Sequence, residues 1–166
     1  MEVRQMATAF LFRGDELLLM RKSNSRIADR PFWSGLGGHV EASELNHPRS
    51  ACLREIFEES GFAESDLSEL RLRYLLLRIK GDEIRQQFVY FGTTARSDFV
   101  NSDEGELHWV RKEAVLGLPM SAIVRAMLAY DFERADPSGI RVGTITSGKD
   151  GAPLMQWAEL NDPLVF

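Results

Sequence analysis

Apolar residues recur along the chain in two rhythms, alternating with polar residues in some segments and spaced by three or four in others. The alternating segments flank short turns rich in Gly, Asp and Glu, which is the pattern of β-hairpins. Three hairpins are predicted: Met6 to Phe12 with Leu17 to Met20, Arg71 to Ile79 with Gln86 to Ala95, and Ile140 to Ile145 with Leu154 to Trp157. A further short strand is predicted at Leu107 to Val110.

Two segments have the helical rhythm instead. One runs from Ser121 to Arg134 and follows a proline. The other begins at Pro48, with Asn46 as its expected N-cap, and ends at Gly61. Helices that interrupt a mixed central sheet, followed by a C-terminal hairpin, predict the α/β class and an α/β/α sandwich.

The helix that begins at Pro48 carries a face of carboxylates. At about 100° per residue, Glu55, Glu58 and Glu59 fall on one narrow arc, which we expect to face solvent. The opposite arc is expected to pack on the sheet, and its members are Cys52, Leu53, Ile56, Phe57 and Ser60. Like charges one turn apart cost a few tenths of a kcal/mol each. The face therefore favours a bound divalent cation, with a merely solvated acidic surface as the alternative.

A glycine-rich segment, Trp33 to Glu41, precedes this helix. Three of the four residues 35–38 are glycine, so we predict a loop whose backbone makes tight turns or approaches a ligand closely. Phe32 and Trp33 open the segment. These two rings are expected either to stack on a base or to pack in the core.

Residues Gly38 to Phe62 resemble the Nudix box, whose pattern is G-x5-E-x7-R-E-U-x-E-E-x-G-U, with U a bulky aliphatic residue. Gly38 and Glu44 match its first half, and the run REIFEESGF from Arg54 matches its second half. The chain departs from the pattern by a two-residue insertion, since nine residues rather than seven separate Glu44 from Arg54. Leu36 also stands where many members have proline. Loop insertions are tolerated cheaply, so the spacing within the helix is expected to survive.

The resemblance implies hydrolysis of a nucleoside diphosphate linked to another group, with Mg²⁺ as cofactor and Mn²⁺ as a substitute. It implies that Glu55, Glu58 and Glu59 hold the metal and act in catalysis, and that the carbonyl of Gly37 completes the metal shell. It also places Arg54 among the catalytic residues. Because Arg54 stands one turn before Glu58, we expect it to orient that carboxylate.

A further metal ligand is expected from a later loop. Glu104 is the first candidate and Glu106 the second, and a plain solvated turn at 103–106 is an equal alternative. Glu44 is expected to anchor the loop to the helix N-terminus rather than to bind metal. Glu41 is a weaker candidate for a place near the metal.

Candidate substrate contacts are basic or aromatic. A basic segment follows the first hairpin, and its cations are Arg21, Lys22, Arg26 and Arg30. They are expected to hold phosphates, with a solvated loop as the alternative. Trp33 and Gly38 are the other predicted substrate-binding residues.

Several substrates fit the resemblance. The first choice is an ordinary or oxidised nucleoside triphosphate, cleaved to a monophosphate and pyrophosphate. The alternatives are ADP-ribose, a dinucleotide or a nucleotide sugar, or a non-catalytic nucleotide-binding module. No glutamate of the box is lost, which favours an enzyme.

The composition of the chain predicts its number of domains, its partners and its location. A chain of 166 residues with 44% hydrophobic content predicts a single Nudix domain over 1–166. A net charge of −5 argues against nucleic-acid polymers and anionic membranes as partners, which leaves a small nucleotide substrate. One cysteine and the lack of a long apolar run or leader pattern predict a cytoplasmic location. A homodimer is compatible with the sequence.

Overall fold

A computed structural model describes residues 1–23, 31–134 and 138–163 of the chain. Within these residues nine strands form a single mixed sheet. They are β1 (Glu2–Arg13), β2 (Glu16–Lys22), β3 (Phe32–Ser34), β4 (Leu36–His39), β5 (Leu67–Lys80), β6 (Glu83–Thr94), β7 (Glu106–Arg111), β8 (Ile140–Ser147) and β9 (Pro153–Leu160).

The helices are short and lie between the strands. They are α1 (Pro48–Ser60), α2 (Lys112–Val115) and α3 (Ala122–Phe132), and single 3₁₀ turns occur at Ala42–Glu44 and Glu64–Asp66. The sequence patterns gave no indication of α2. None of the helices in the described part of the chain has the length and apolar character needed to cross a bilayer.

The three predicted hairpins are confirmed as β1–β2, β5–β6 and β8–β9, and the predicted strand at Leu107 to Val110 is confirmed as β7. The main path of the sheet runs β3-β2-β1-β6-β5-β8-β9. β4 pairs with β1, and β7 pairs with β2. Two neighbouring pairs, β1–β6 and β5–β8, are parallel, which makes the sheet mixed as expected.

Helices cover both faces of the sheet and create two separate cores. Along β1, Ala7, Ala9 and Leu11 point to the α1 face, whereas Phe10 points to the α3 face. The core beneath α3 includes Met127, which is fully buried. Alternation along the strands therefore supplies apolar side chains to both sides, and the predicted α/β/α sandwich is confirmed.

The prediction of a loop from Trp33 to Glu41 was wrong for most of that segment, because it forms β3 and β4. β4 pairs with β1 in antiparallel register, with Thr8 opposite Gly37. A Cβ on Gly37 would collide with the carbonyl oxygen of Ala7, and the backbone there has φ 147°, which L side chains rarely adopt. The glycines thus serve close backbone packing against β1.

The ends of α1 follow the prediction at Pro48 and Gly61 but not at Asn46. Gly61 has φ 74°, and its N–H donates to the Phe57 carbonyl at 2.8 Å. The N-cap is His47, whose side chain makes no capping bond. The predicted cap was therefore wrong by one residue, and Asn46 lies just before the cap position.

The faces of α1 also differ from the prediction. Phe57 was expected in the core, yet it is 59% exposed. Glu55 and Glu59 were expected to face solvent, yet they are 7% and 1% exposed, whereas Glu58 is exposed. The reason is that α1 packs against glycine-rich β4 as well as against β1. The glycines of β4 have no side chains, which leaves room for the carboxylates.

Candidate active site

Arg54 on α1 is the centre of a charged network. Its Nε and Nη2 donate to the two carboxylate oxygens of Glu44 at 2.9 and 3.0 Å. Its Nη1 donates to Glu55 at 2.8 Å and to Glu58 at 3.1 Å, and its Nη2 also donates to the His39 carbonyl at 3.0 Å. The predicted Arg54–Glu58 pair is therefore present, but it is one of several contacts that a planar guanidinium can make together.

Glu44 lies before α1 and still contacts it, despite the two-residue insertion before Arg54. Both of its carboxylate oxygens bind Arg54, and Oε2 also accepts a bond from the Glu41 N–H at 3.0 Å. The hydrogen bond from Arg54 is the main reason why the pKa of Glu44 lies below its ordinary value. The anchor of Glu44 is Arg54 rather than the expected helix N-terminus, and its role as a structural residue stays a prediction. Glu41 caps the 3₁₀ turn at Ala42–Glu44.

Glu59 is the most buried carboxylate of the described residues near α1. Its Oε2 accepts a bond from the Gly37 N–H at 2.7 Å, whereas its Oε1 is buried and has no hydrogen-bond partner in the described part of the chain. Burial is the main cause that raises the pKa of Glu59 to about 8, and the nearby Glu104 carboxylate raises it further. The Gly37 N–H and the charge of Lys22 oppose this rise. A buried carboxylate with one free oxygen needs a cation or a proton.

Glu55 lies beside Glu59 on the same arc of the helix and meets the backbone of β4. A Cβ placed on Gly38 would lie 2.5 Å from Glu55 Oε1, so only glycine lets this carboxylate occupy its position. Burial raises the pKa of Glu55, while the hydrogen bond and charge of Arg54 lower it and the charges of Glu58 and Glu104 add to the rise. Gly38 therefore shapes the site through Glu55.

Glu104, in the loop before β7, completes a set that we call the carboxylate cluster. Its members, Glu44, Glu55, Glu58, Glu59 and Glu104, face two cations, Arg54 and Lys22. Lys22 Nζ lies 3.4 Å from Glu104 Oε2. The carboxylates outnumber the cations, so the cluster attracts further positive charge. Glu106 pairs with Arg21 at 3.6 Å instead and takes no part in it.

The cluster offers the donors that a hard divalent cation prefers, since its ligands are carboxylate and carbonyl oxygens and one oxygen of Glu59 has no partner. Among the described residues, however, no three His, Cys, Asp or Glu side chains already form a metal-binding group. Arg54 holds Glu55 and Glu58, and the Gly37 N–H holds Glu59. Small side-chain rotations away from these partners are needed before several carboxylates converge on one ion.

A cavity of about 200 Å³ opens beside Gly37 on the α3 face of the sheet. Trp33 lines it and also packs against His108, with ring centroids 5.3 Å apart, so both expected roles of this ring remain compatible with its position. Lys22 lines the same cavity. The space therefore runs from the neighbourhood of the carboxylate cluster into the body of the fold.

The other predicted substrate contacts are distributed differently. Arg21 pairs with Glu106 and is not among the residues that line the cavity. Gly38 lies beside Glu55, as described above. Arg26 and Arg30 lie outside the described residues. A substrate contact from any of these four stays a prediction.

Sequence reasoning missed the polar residues that the sheet supplies to the cavity. Thr8, Ser34, Arg78, Arg85 and Gln87 all line it. They come from β1, β3, β5 and β6, and only the sheet brings them together. Of these residues only Arg78 could have been noticed in the sequence, because it is a charged residue within the apolar run LLLRI of the β5 segment.

Comparison with known proteins places this architecture in a family. A family model, the NUDIX domain, matches residues 3–130. This matched region contains both the carboxylate cluster and the cavity. The β8–β9 hairpin lies beyond it.

Solved structures with the same fold include bacterial, archaeal and animal proteins. The MutT protein from Bacillus halodurans has a TM-score of 0.70 and 22% identity, with 93% of this chain and 97% of that chain covered. The MutT protein from Methanosarcina mazei Go1 has a TM-score of 0.65 and 21% identity over 80% of this chain and 97% of its own. A C. elegans Ap4A hydrolase has a TM-score of 0.59 and 16% identity, covering 80% and 96%.

At these identities the structural likeness concerns the fold, whereas the family match rests on the sequence itself. Members of the family generally use divalent metals and act on small nucleotide substrates. The chain belongs to the Nudix family and is a Nudix pyrophosphohydrolase, acting on substrates in which a nucleoside diphosphate is linked to another group.

Proposed function

We propose that the protein is a Mg²⁺-dependent hydrolase, with Mn²⁺ as a substitute, that cleaves a nucleoside triphosphate to a monophosphate and pyrophosphate. The observation that carries this proposal is the buried Oε1 of Glu59, which has no hydrogen-bond partner among the described residues, on the same arc of α1 as buried Glu55. A buried anionic oxygen without a donor is costly unless a cation or a proton satisfies it.

Glu55 and Glu59 are the principal ligands in this proposal, because they are buried on one arc of α1. Glu58, Glu104 and the carbonyl of Gly37 complete the shell. Mg²⁺ bound there would neutralise the diphosphate oxygens and make a water molecule more acidic and more nucleophilic. A carboxylate of the same cluster would serve as the base that accepts a proton from the attacking water.

Arg54 acts in this reaction as a positioning residue. Its bonds to Glu44, Glu55 and Glu58 hold three carboxylates at fixed places on one side of α1. Arg54 thus keeps the carboxylates together despite their mutual repulsion, and only side-chain rotations separate this arrangement from one that surrounds an ion.

The nucleoside part of the substrate is proposed to enter the cavity beside Trp33, whose ring offers a stacking surface. Lys22 and Arg21 are proposed to meet phosphate oxygens near the mouth. The second candidate class is a dinucleotide, ADP-ribose or a nucleotide sugar. One part of such a molecule would occupy the cavity of about 200 Å³, and the rest would lie outside it. The C. elegans Ap4A hydrolase with the same fold keeps this class open.

The test is a substrate panel assayed with purified protein and either Mg²⁺ or Mn²⁺. The panel contains ordinary and 8-oxo nucleoside triphosphates, ADP-ribose, diadenosine polyphosphates and nucleotide sugars. Pyrophosphate together with a nucleoside monophosphate is the expected product pair. Release of other products, such as AMP with ribose phosphate, would move the protein to the second class, and no turnover on any compound would remove the proposal.

Two further proposals concern the setting of the enzyme. We propose a cytoplasmic location, which the single buried Cys52 supports because it forms no disulfide within the described chain. We also propose that the protein forms a homodimer, which is compatible with the exposed edge strand β9. Light scattering measures the oligomeric state directly.

A further inference from the structure

Arg78 on β5 lines the cavity and has no counter-charge in the described part of the chain. Arg85, which sits directly opposite on β6, lines the cavity as well. Within residues 1–23, 31–134 and 138–163, Arg78 makes no ion pair or side-chain hydrogen bond. A half-buried cation next to a second cation is an unfavourable arrangement unless an anion joins it.

The neighbouring cations already share the nearest carboxylate. Glu83 accepts Arg85 at 3.1 Å through one oxygen, and Arg4 at 2.6 Å through the other. Burial, followed by the charges of Arg85 and Arg78, lowers the pKa of Lys80, so Lys80 also lies near these two arginines. We call Arg4 and Arg85, which share Glu83, together with Arg78 opposite Arg85, the arginine cluster. It has more positive than negative charge, although the whole chain carries a net charge of −5.

The cavity also contains polar groups that suit an anion. Ser34 Oγ is buried and has no hydrogen-bond partner among the described residues, so its hydroxyl is free to donate. Gln87 Nε2 donates to Thr8 Oγ1 at 2.8 Å, which leaves the Thr8 hydroxyl proton available. Burial, followed by the charge of Arg85, lowers the pKa of Arg78, which is the effect expected of a cation that lacks its partner.

We propose that Arg78, assisted by Arg85 and Ser34, binds a phosphate group of the substrate other than the phosphates that flank the scissile bond. Phosphate suits this place because guanidinium groups bind its oxygens in pairs with strong, charge-assisted hydrogen bonds. The inference rests on the proposed function, since it assigns the second end of the molecule that the carboxylate cluster cleaves.

The cavity connects the two ends. Gly37 and Lys22 line it on the side of the carboxylate cluster, and Arg78 and Arg85 line it further along the sheet. A substrate that spans it therefore presents negative charge at both ends, with a less polar middle beside Trp33. Because the nucleoside is that middle part, the extra phosphate is one that the nucleoside itself carries, such as a phosphate ester on the ribose. The terminal phosphate of a triphosphate lies on the other side of the diphosphate.

The test compares ligands that differ by one phosphate. Calorimetry in Mg²⁺ measures the binding of α,β-methylene-ADP against α,β-methylene-ATP, and of AMP against adenosine 2′,5′- and 3′,5′-bisphosphate. In the wild type we expect the additional phosphate to tighten the second pair, which reports a ribose ester, about tenfold or more. The first pair reports a terminal phosphate, and substitution of Arg78 is expected to leave its preference unchanged.

Variants assign the effect to Arg78. Arg78→Met keeps the apolar stem and is expected to reduce the advantage of the additional phosphate in the second pair to less than about threefold, whereas Arg78→Lys retains part of it. The matched control is Arg71→Met on the same strand, since the Arg71 side chain is 77% exposed and pairs with Glu69 outside this cavity. Arg85→Met provides a second variant in case Arg78→Met does not fold.

Two outcomes would overturn the inference. One is a wild type that does not prefer the additional phosphate in the second pair, and the other is an Arg78→Met protein that keeps the full preference in that pair. Binding and turnover separate this inference from the proposed function. A phosphate preference that depends on Arg78 in a protein that hydrolyses no nucleotide would leave the site in place and remove the enzyme reaction alone.

Discussion

The carboxylate cluster and the arginine cluster have a similar arrangement of charged groups but opposite signs of charge. In the first, one guanidinium, Arg54, lies among several carboxylates. In the second, one carboxylate, Glu83, lies between two guanidinium groups, with Arg78 beyond them. Each cluster contains one central group of the minority charge, and each retains an excess of the other sign.

The comparison shows how charge is divided within a small acidic protein. The central group organises its neighbours, because it forms several short hydrogen bonds at once. The excess charge is then left for something that the chain does not supply. On the α1 face this is a cation, and on the α3 face an anion. A substrate with a metal-bound diphosphate at one end and a phosphate at the other satisfies both clusters.

The largest effect is expected from Glu59→Gln, which removes negative charge from the carboxylate cluster with little change in shape. We expect hydrolysis to fall more than about 100-fold, because the loss of a direct ligand exceeds the 10- to 100-fold typical of indirect partners. Steady-state kinetics with saturating Mg²⁺ measures it. The control is Glu113→Gln, since that side chain is 75% exposed and pairs with Arg111. Turnover within about threefold of wild type would exclude Glu59 from the metal shell.

Arg54→Met tests the central group of the carboxylate cluster. We expect the free energy of unfolding to fall by about 2 kcal/mol, because three carboxylates then repel one another without their bridge. The loss is smaller than for a fully buried pair, since the Arg54 side chain is 25% exposed. Urea unfolding without metal measures it, and Mg²⁺ is expected to restore part of the loss.

The control for Arg54 is Arg111→Met, which removes a 67% exposed side chain that pairs with Glu113 alone. Its unfolding free energy is expected to stay within about 0.5 kcal/mol of the wild type. Equal losses in the two variants would show that Arg54 contributes nothing beyond an ordinary surface cation.

The pH dependence of the metal-free protein tests the buried anion directly. Burial raises the pKa of Glu59 to about 8 from an ordinary value of 4.5. Between these two values the unfolded chain has released the proton and the folded chain keeps it, so stability falls as pH rises. The expected loss is on the order of 2 to 4 kcal/mol, measured by urea unfolding from pH 5 to about 9.

Two comparisons sharpen that measurement. Glu59→Gln carries no titrating group at this position, so its stability is expected to change much less over the same range. Saturating Mg²⁺ is expected to flatten the wild-type curve, because the ion binds the ionised carboxylate. A wild-type curve without any decline would contradict the burial of an uncompensated carboxylate.

The smallest effect is expected from Glu83→Gln in the arginine cluster. Loss of this central carboxylate leaves Arg4 and Arg85 as unneutralised as Arg78. We expect a slightly lower melting temperature that added phosphate raises more than it does in the wild type. Thermal unfolding in phosphate and in chloride, at equal ionic strength, measures the difference. The same phosphate response in both proteins would contradict an anion site at this cluster.

The order of the secondary structure was predictable because it depends on neighbours in the sequence. Alternation of apolar residues with turn residues between them specified the three hairpins. Helical spacing, Pro48 and Gly61 specified α1, and the box motif named Arg54, Glu55, Glu58 and Glu59. The hairpins and the helix needed only the geometry of a single strand, turn or helix, whereas the roles of these four residues were implied by the resemblance to a known motif.

Packing between elements decided the rest. The sequence by itself determined that carboxylates line one arc of α1, but only contact with the glycine backbone of β4 decided that Glu55 and Glu59 are buried and that Phe57 is exposed. In the same way the arginine cluster exists because parallel pairing of β1 with β6 aligns Arg4 with Arg85, and antiparallel pairing of β5 with β6 sets Arg78 opposite Arg85. Local periodicity specifies which side of an element a residue occupies, whereas burial and charge pairing depend on what the folded chain brings against that side.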